Sequence, residues 1–154
     1  MAIGKIKDRF VADGINEYAK RLRPYTKLGI VEFPEEHIPD RASAGETERI
    51  KDKEGELILR TLRDSDLVLA LDPRGISWSS EELAQKLNFW EVAGISRLVF
   101  IIGGPLGLAD GVRKRADSIL SLSKMTFTHP MARLILLEQV YRAFRINRGE
   151  PYHK

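Results

Sequence analysis

Apolar positions along this chain switch repeatedly between two spacings. Phe10, Val11, Ile15, Tyr18, Ala19 and Leu22 recur at helical intervals, which predicts a helix over 7–23. Residues 2–5 before it and the alternating, β-rich residues 28–33 after it read as strands. Pro34 and Pro39 bracket a loop. Ser43 followed by Glu46 is a capping-box signal for a helix to about Arg63, and Ser79 with Glu82 opens another to about Ala93. Short apolar runs at 66–71, 97–102 and 118–120 complete the strands. A short helix over 110–116 and a final helix over 130–146 complete the pattern. Strands alternating with helices predict an α/β fold, a mainly parallel sheet flanked by helices on both faces. Ligands of such sheets bind beyond the carboxyl ends of the strands. Three loops stand there: 72–75, 103–107 and 122–129.

The final helix departs from a single stripe. Met131, Leu134, Ile135, Leu136, Leu137, Val140, Tyr141 and Phe144 make both of its flanks apolar. One flank packs on the sheet. The other is covered either by a partner subunit or by an unusually broad sheet face.

Composition narrows the classes. The 154 residues suit one domain spanning 1–154, with a hydrophobic core. The chain has no cysteine, which excludes disulfides, thiolate metal sites and a thiol nucleophile. No apolar run reaches the roughly 18 residues of a membrane span, and residues 1–5 lack the apolar core of a signal peptide. A cytoplasmic protein without membrane contact is the expectation. The net charge of +3 is modest, but its distribution is not. Lysines and arginines load both ends, while residues 32–91 carry most of the acid. If the ends meet in space they form one basic face suited to nucleic acid.

The usual phosphate signatures are absent. Gly103-Gly104-Pro105-Leu106-Gly107 matches neither dinucleotide fingerprint nor P-loop. Either it is only a tight turn, or its glycines let a ligand approach the backbone. Asp72-Pro73-Arg74-Gly75 fits an ordinary type I turn. The stretch 123–128 offers hydroxyls and backbone amides to a ligand. It also fits a linker in which Thr128 or His129 caps the last helix, with Pro130 in its first turn. Glu138 and Arg142, four apart, suit a helix-surface ion pair. The histidines His37, His129 and His153 are scattered, so no metal site is expected.

Taken in order, Ile3-Gly4-Lys5, Lys53-Glu54-Gly55, Leu71-Asp72, Ile102-Gly103-Gly104, Ser121-Leu122-Ser123, Thr126-Phe127-Thr128-His129, Glu138-Gln139-Val140-Tyr141-Arg142-Ala143 and Pro151-Tyr152-His153 form a specific set. Over almost its whole length the chain resembles the small SPOUT-class rRNA methyltransferases of the RlmH (YbeA) family. Its first strand is shorter than is usual there. The resemblance implies a SPOUT-type α/β fold with a deep trefoil knot near the carboxyl end, and a homodimer built around it. It implies S-adenosylmethionine as methyl donor, no metal, and methylation at N3 of a pseudouridine in helix 69 of 23S rRNA in the assembled ribosome. Carried over by position, Leu71, Gly103, Leu122, Ser123, Lys124, Met125, Thr126 and Phe127 hold the cofactor. His129, Arg142 and His153 are candidates for handling the N3 proton or the adjacent oxygen. Arg133, Arg142, Arg145, Arg148, Tyr152 and His153 would face RNA. Two other readings stay open: a non-catalytic RNA- or nucleotide-binding module, and a SPOUT methyltransferase acting on tRNA.

Overall fold

A computed structural model describes residues 1–152 and runs β1 (Ala2–Ile3), α1 (Arg9–Leu22), β2 (Glu32–Phe33), α2 (Ala44–Thr61), β3 (Leu67–Ser77), α3 (Ser80–Val92), β4 (Leu98–Ile102), α4 (Asp110–Arg115), β5 (Ser118–Ser121) and α5 (His129–Asn147). The strands form one sheet in the order β2-β1-β4-β3-β5, every pairing parallel. Local chemistry explains the helix starts. Asp8 caps α1 by accepting from the amides of Phe10 and Val11, and both expected capping boxes form, Ser43–Glu46 on α2 and Ser79–Glu82 on α3. Pro130 stands in the first turn of α5, but neither Thr128 nor His129 supplies a side-chain cap.

Two strand expectations change. Of 28–33 only Glu32–Phe33 is strand, because its neighbour β1 has just two residues to pair with. Beyond them Val31 O still accepts from Ala2 N at 2.9 Å. The strand expected at 66–71 instead continues through Asp72–Gly75 to Ser77. Leu71 and Ile76 both lie opposite Leu120, so residues 72–75 bulge out of the ladder between them. The amide of Arg74 donates to Asp72 Oδ1 at 2.9 Å, so the expected turn chemistry is present inside the strand.

Alternation along the strands divides the core between the two faces. Val68, Ala70, Val99 and Ile101 meet Ile58 of α2 and Val112 of α4 on one side. Ala2 and Ile102 meet Val11 and Ile15 of α1, Leu83 and Leu87 of α3, and Leu136, Leu137 and Val140 of α5 on the other. Gly55 fits α2 onto α4, since a methyl group there would lie 2.7 Å from the Ala109 Cβ.

Candidate functional site

The carboxyl ends of β3, β4 and β5 open into one cleft of about 1020 Å³, walled by the β3 bulge, the glycine turn and the segment after β5. Of the expected cofactor residues, Leu71, Gly103, Leu122, Ser123, Met125, Thr126 and Phe127 line it, as does His129. Lys124 is exposed beside the cleft and does not line it. Met125 and Phe127 are 74% and 37% exposed at the mouth, apolar surface open to a ligand. Ser123 shapes its own loop: its hydroxyl accepts from Met125 N at 2.9 Å, and its carbonyl accepts from Ser121 Oγ at 2.9 Å.

The glycine turn closes on itself. Gly107 N donates to Gly104 O at 3.0 Å, and Gly107 adopts φ +85°. A methyl group at Gly103 would lie 2.8 Å from the Gly107 carbonyl carbon and oxygen. The absent side chain at Gly103 is therefore required by the turn's own closure. The tight turn forms, and it makes one side of the cleft.

The cleft is also lined by a charged group, Asp72, Arg74 and Arg113, that was not among the expected site residues. Asp72 is buried, bound by Arg113 at 2.5 Å and by Arg74 at 3.1 Å. Burial pushes its pKa up, but hydrogen bonds from Arg74 and the Arg113 charge prevail and hold the carboxyl below its usual range. Arg113 also donates to Leu108 O, so one guanidinium joins the bulge to the end of the glycine turn. Arg74 two residues after Asp72 was a local signal. Arg113 gave none, since only the fold brings it there.

Arg133 overturns its expected place on an RNA surface. It is 5% exposed and donates to Ile3 O, Gly4 O and Glu32 Oε1, the last at 2.6 Å. It is the bolt between α5 and the ends of β1 and β2. One turn earlier, the His129 imidazole packs against Gly4, and burial followed by the Arg133 charge lowers its pKa.

The remaining candidates gather elsewhere. Arg142 pairs with Glu138, as the four-residue spacing predicted, and stacks on Tyr152 with 4.8 Å to the ring centroid. Tyr152 donates to Glu138 and lies 3.3 Å from the Tyr18 hydroxyl. Arg145 is held by Tyr141 and Glu150, and Arg148 lies over Tyr25. His153 lies outside the described residues. Arg142 follows Pro130 by twelve positions, about 18 Å along the helix at 1.5 Å per residue. One chain thus holds a cofactor-sized cleft and a separate arginine–tyrosine group. Among the described residues, no three His, Cys, Asp or Glu side chains gather as a metal site, and no helix is long and apolar enough to cross a membrane.

A parallel sheet with a cleft over the carboxyl ends of β3, β4 and β5 has the architecture of an α/β ligand-binding protein. The family described as "Predicted SPOUT methyltransferase" matches residues 1–153, and the chain belongs to that family. A protein of Methanoregula boonei, provisionally named ribosomal RNA large subunit methyltransferase H, is 58% identical over all of this chain and 97% of its own length. Proteins named ribosomal RNA large subunit methyltransferase H from Alkaliphilus oremlandii and Clostridium acetobutylicum are 52% and 50% identical over the same shares.

Proposed function

We propose that this protein methylates N3 of a pseudouridine in helix 69 of 23S rRNA, in the assembled ribosome of the cytoplasm, using S-adenosylmethionine. The observation that carries the reading is the cleft itself, which joins seven of the eight residues expected to hold the cofactor, all but Lys124, in a chain that matches its named relatives over its whole length. When bound, S-adenosylmethionine supplies a methyl group already activated by a cationic sulfur. The residues present fit it. Leu71, Leu122 and Met125 offer apolar faces to a purine, and the cleft is ample for a nucleoside.

The rest of the chemistry falls to the protein. N3 of a uracil-type ring carries a proton at neutral pH that some group must accept. His129 is suited to that task, because its lowered pKa favours the neutral imidazole. His153 is the second candidate base. Arg142 can stabilise the oxygen beside N3. Arg142, Arg145, Arg148 and Tyr152 form the RNA-facing group. Their distance along α5 from the cleft supports a homodimer in which one copy presents this group to the other's cleft. A trefoil knot is consistent with this topology, in which α5 packs against α1 and α3.

The test is transfer of labelled methyl from S-adenosylmethionine to ribosomes lacking the modification, with mapping of the labelled base. Label at the helix 69 pseudouridine is expected. Label on bulk tRNA instead, or no cofactor-induced rise in melting temperature, would overturn the reading.

A further inference from the structure

Between the β3 bulge and the glycine turn stands a charged group to which methyl transfer assigns no task. Asp72 is buried, and both of its oxygens are occupied. Oδ1 accepts from Arg74 N at 2.9 Å and from Arg74 Nε at 3.1 Å. Oδ2 accepts from Arg74 Nη2 at 3.3 Å and lies 2.5 Å from Arg113 Nη1. A carboxylate so occupied leaves little for a ligand to approach. What it does is hold two guanidiniums side by side in the wall of the cleft.

The guanidiniums themselves are not saturated, since each carries more N–H donors than these contacts use. Among the described residues, Arg74 has no hydrogen-bond acceptor besides Asp72, and Arg113 has only Asp72 and Leu108 O. Arg74 Nη1 and Arg113 Nη2 remain for a ligand. Arg113 Nη2 lies 4.0 Å from where a methyl group on Gly107 would stand, so it faces the turn with no side chain between. Arg113 is the enclosed member of the pair, with 26% of its side chain exposed, and Arg74 the open one, with 75%.

We propose that Arg74 and Arg113 bind a carboxylate of the ligand in the cleft, the one on the amino-acid tail of S-adenosylmethionine. The inference rests on the methyltransferase reading. Leu71 directly precedes Asp72 and offers an apolar face to the purine, so the cleft is apolar at one place and cationic beside it. A nucleoside that carries a carboxylate has the same order of parts. Asp72 and the nearby Asp110 offset much of the arginine charge, which suits a single negative charge better than a polyphosphate. Because Asp72 already orders both forks, little side-chain freedom is lost on binding.

Calorimetric titration separates the carboxylate from the nucleoside. The wild type is expected to bind S-adenosylmethionine about 10- to 100-fold more tightly than its decarboxylated analogue, the range for charge-assisted hydrogen bonds. Arg74→Gln should narrow that ratio several-fold. Arg113→Lys, which keeps a charge beside Asp72 but loses the fork, should narrow it as well. The ratio is the quantity to follow, because a general disturbance of the cleft weakens both compounds alike. Equal affinity of the wild type for the two compounds, or a wild-type ratio in both variants, would overturn the proposal. A wild-type ratio together with weaker, less salt-dependent binding of a ribosomal RNA fragment would overturn it in favour of a phosphodiester contact. If the wild type binds neither compound, the methyltransferase reading fails and the carboxylate site falls with it.

Discussion

Arg133 carries a charge to a place where water does not reach, and three oxygens meet it there. Removing it strands the carbonyls of Ile3 and Gly4 and leaves Glu32, one-third exposed, without its partner. Arg133→Leu is expected to lower unfolding free energy by roughly 2–4 kcal/mol, read from urea melts. The same change should weaken cofactor binding, because α5 starts at the end of the cleft loop. His129 adds a pH dependence. Its folded pKa lies below the ordinary 6.5, so the unfolded chain binds the proton more tightly. Stability from this residue is complete above pH 6.5 and is lost as the pH falls from there through the lower folded pKa. Melts of His129→Gln between pH 7 and 5 should show a shallower loss than the wild type, and equal slopes would refute the assignment. At this scale the sequence was informative where a cleft wall is built from neighbours in the chain, as at Leu122, Ser123, Met125, Thr126 and Phe127. It misread Arg133, because an arginine on a helix looks the same in sequence whether it faces solvent or a strand end.

Most elements were legible because their starts are chemical. Ser43 with Glu46 and Ser79 with Glu82 bind their own backbone, and that needs no knowledge of the rest of the fold. The strands were legible in existence and less so in extent. Their length is set by neighbours, as the short β2 beside the two-residue β1 shows. The β3 bulge is the clearest case. Asp72-Pro73-Arg74-Gly75 has the residues of a turn, yet pairing with β5 resumes at Ile76. Gly75 makes this possible, since a methyl group there would lie 2.5 Å from Ile119 O and 2.8 Å from the Leu120 carbonyl carbon. Backbone atoms cannot step aside as a flexible side chain can. Gly75→Ala is therefore expected to cost about 1–3 kcal/mol, and to reduce cofactor affinity because the bulge walls the cleft. Calorimetric titration alongside thermal melting checks both, and an unchanged melting temperature would contradict the packing.

Over the whole molecule, the sequence pattern gave the fold class but not the order of strands, which depends on contacts between residues far apart in the chain. It could not divide the candidate residues into a cleft group and an Arg142–Tyr152 group, because both lie on or beside one helix. The proposed dimer turns that division into a prediction by complementation. A cleft variant, Gly104→Leu, and Arg142→Ala should each be nearly inactive. Co-expressed, they form mixed dimers that each retain one intact site. Random pairing makes half the dimers mixed, so about a quarter of wild-type transfer should return. Activity no greater than the sum of the two single variants would argue that each chain works alone. The pairing of β1 with β4 carries a further consequence, one of timing. Ala2 pairs with Ile102, a hundred positions later. During synthesis at ~5–20 residues per second, the first strand leaves the ribosome and waits roughly 5–20 s before its central neighbour exists. For that interval an enzyme proposed to act on ribosomes remains an unfinished chain attached to one, with its first strand still lacking its β4 neighbour.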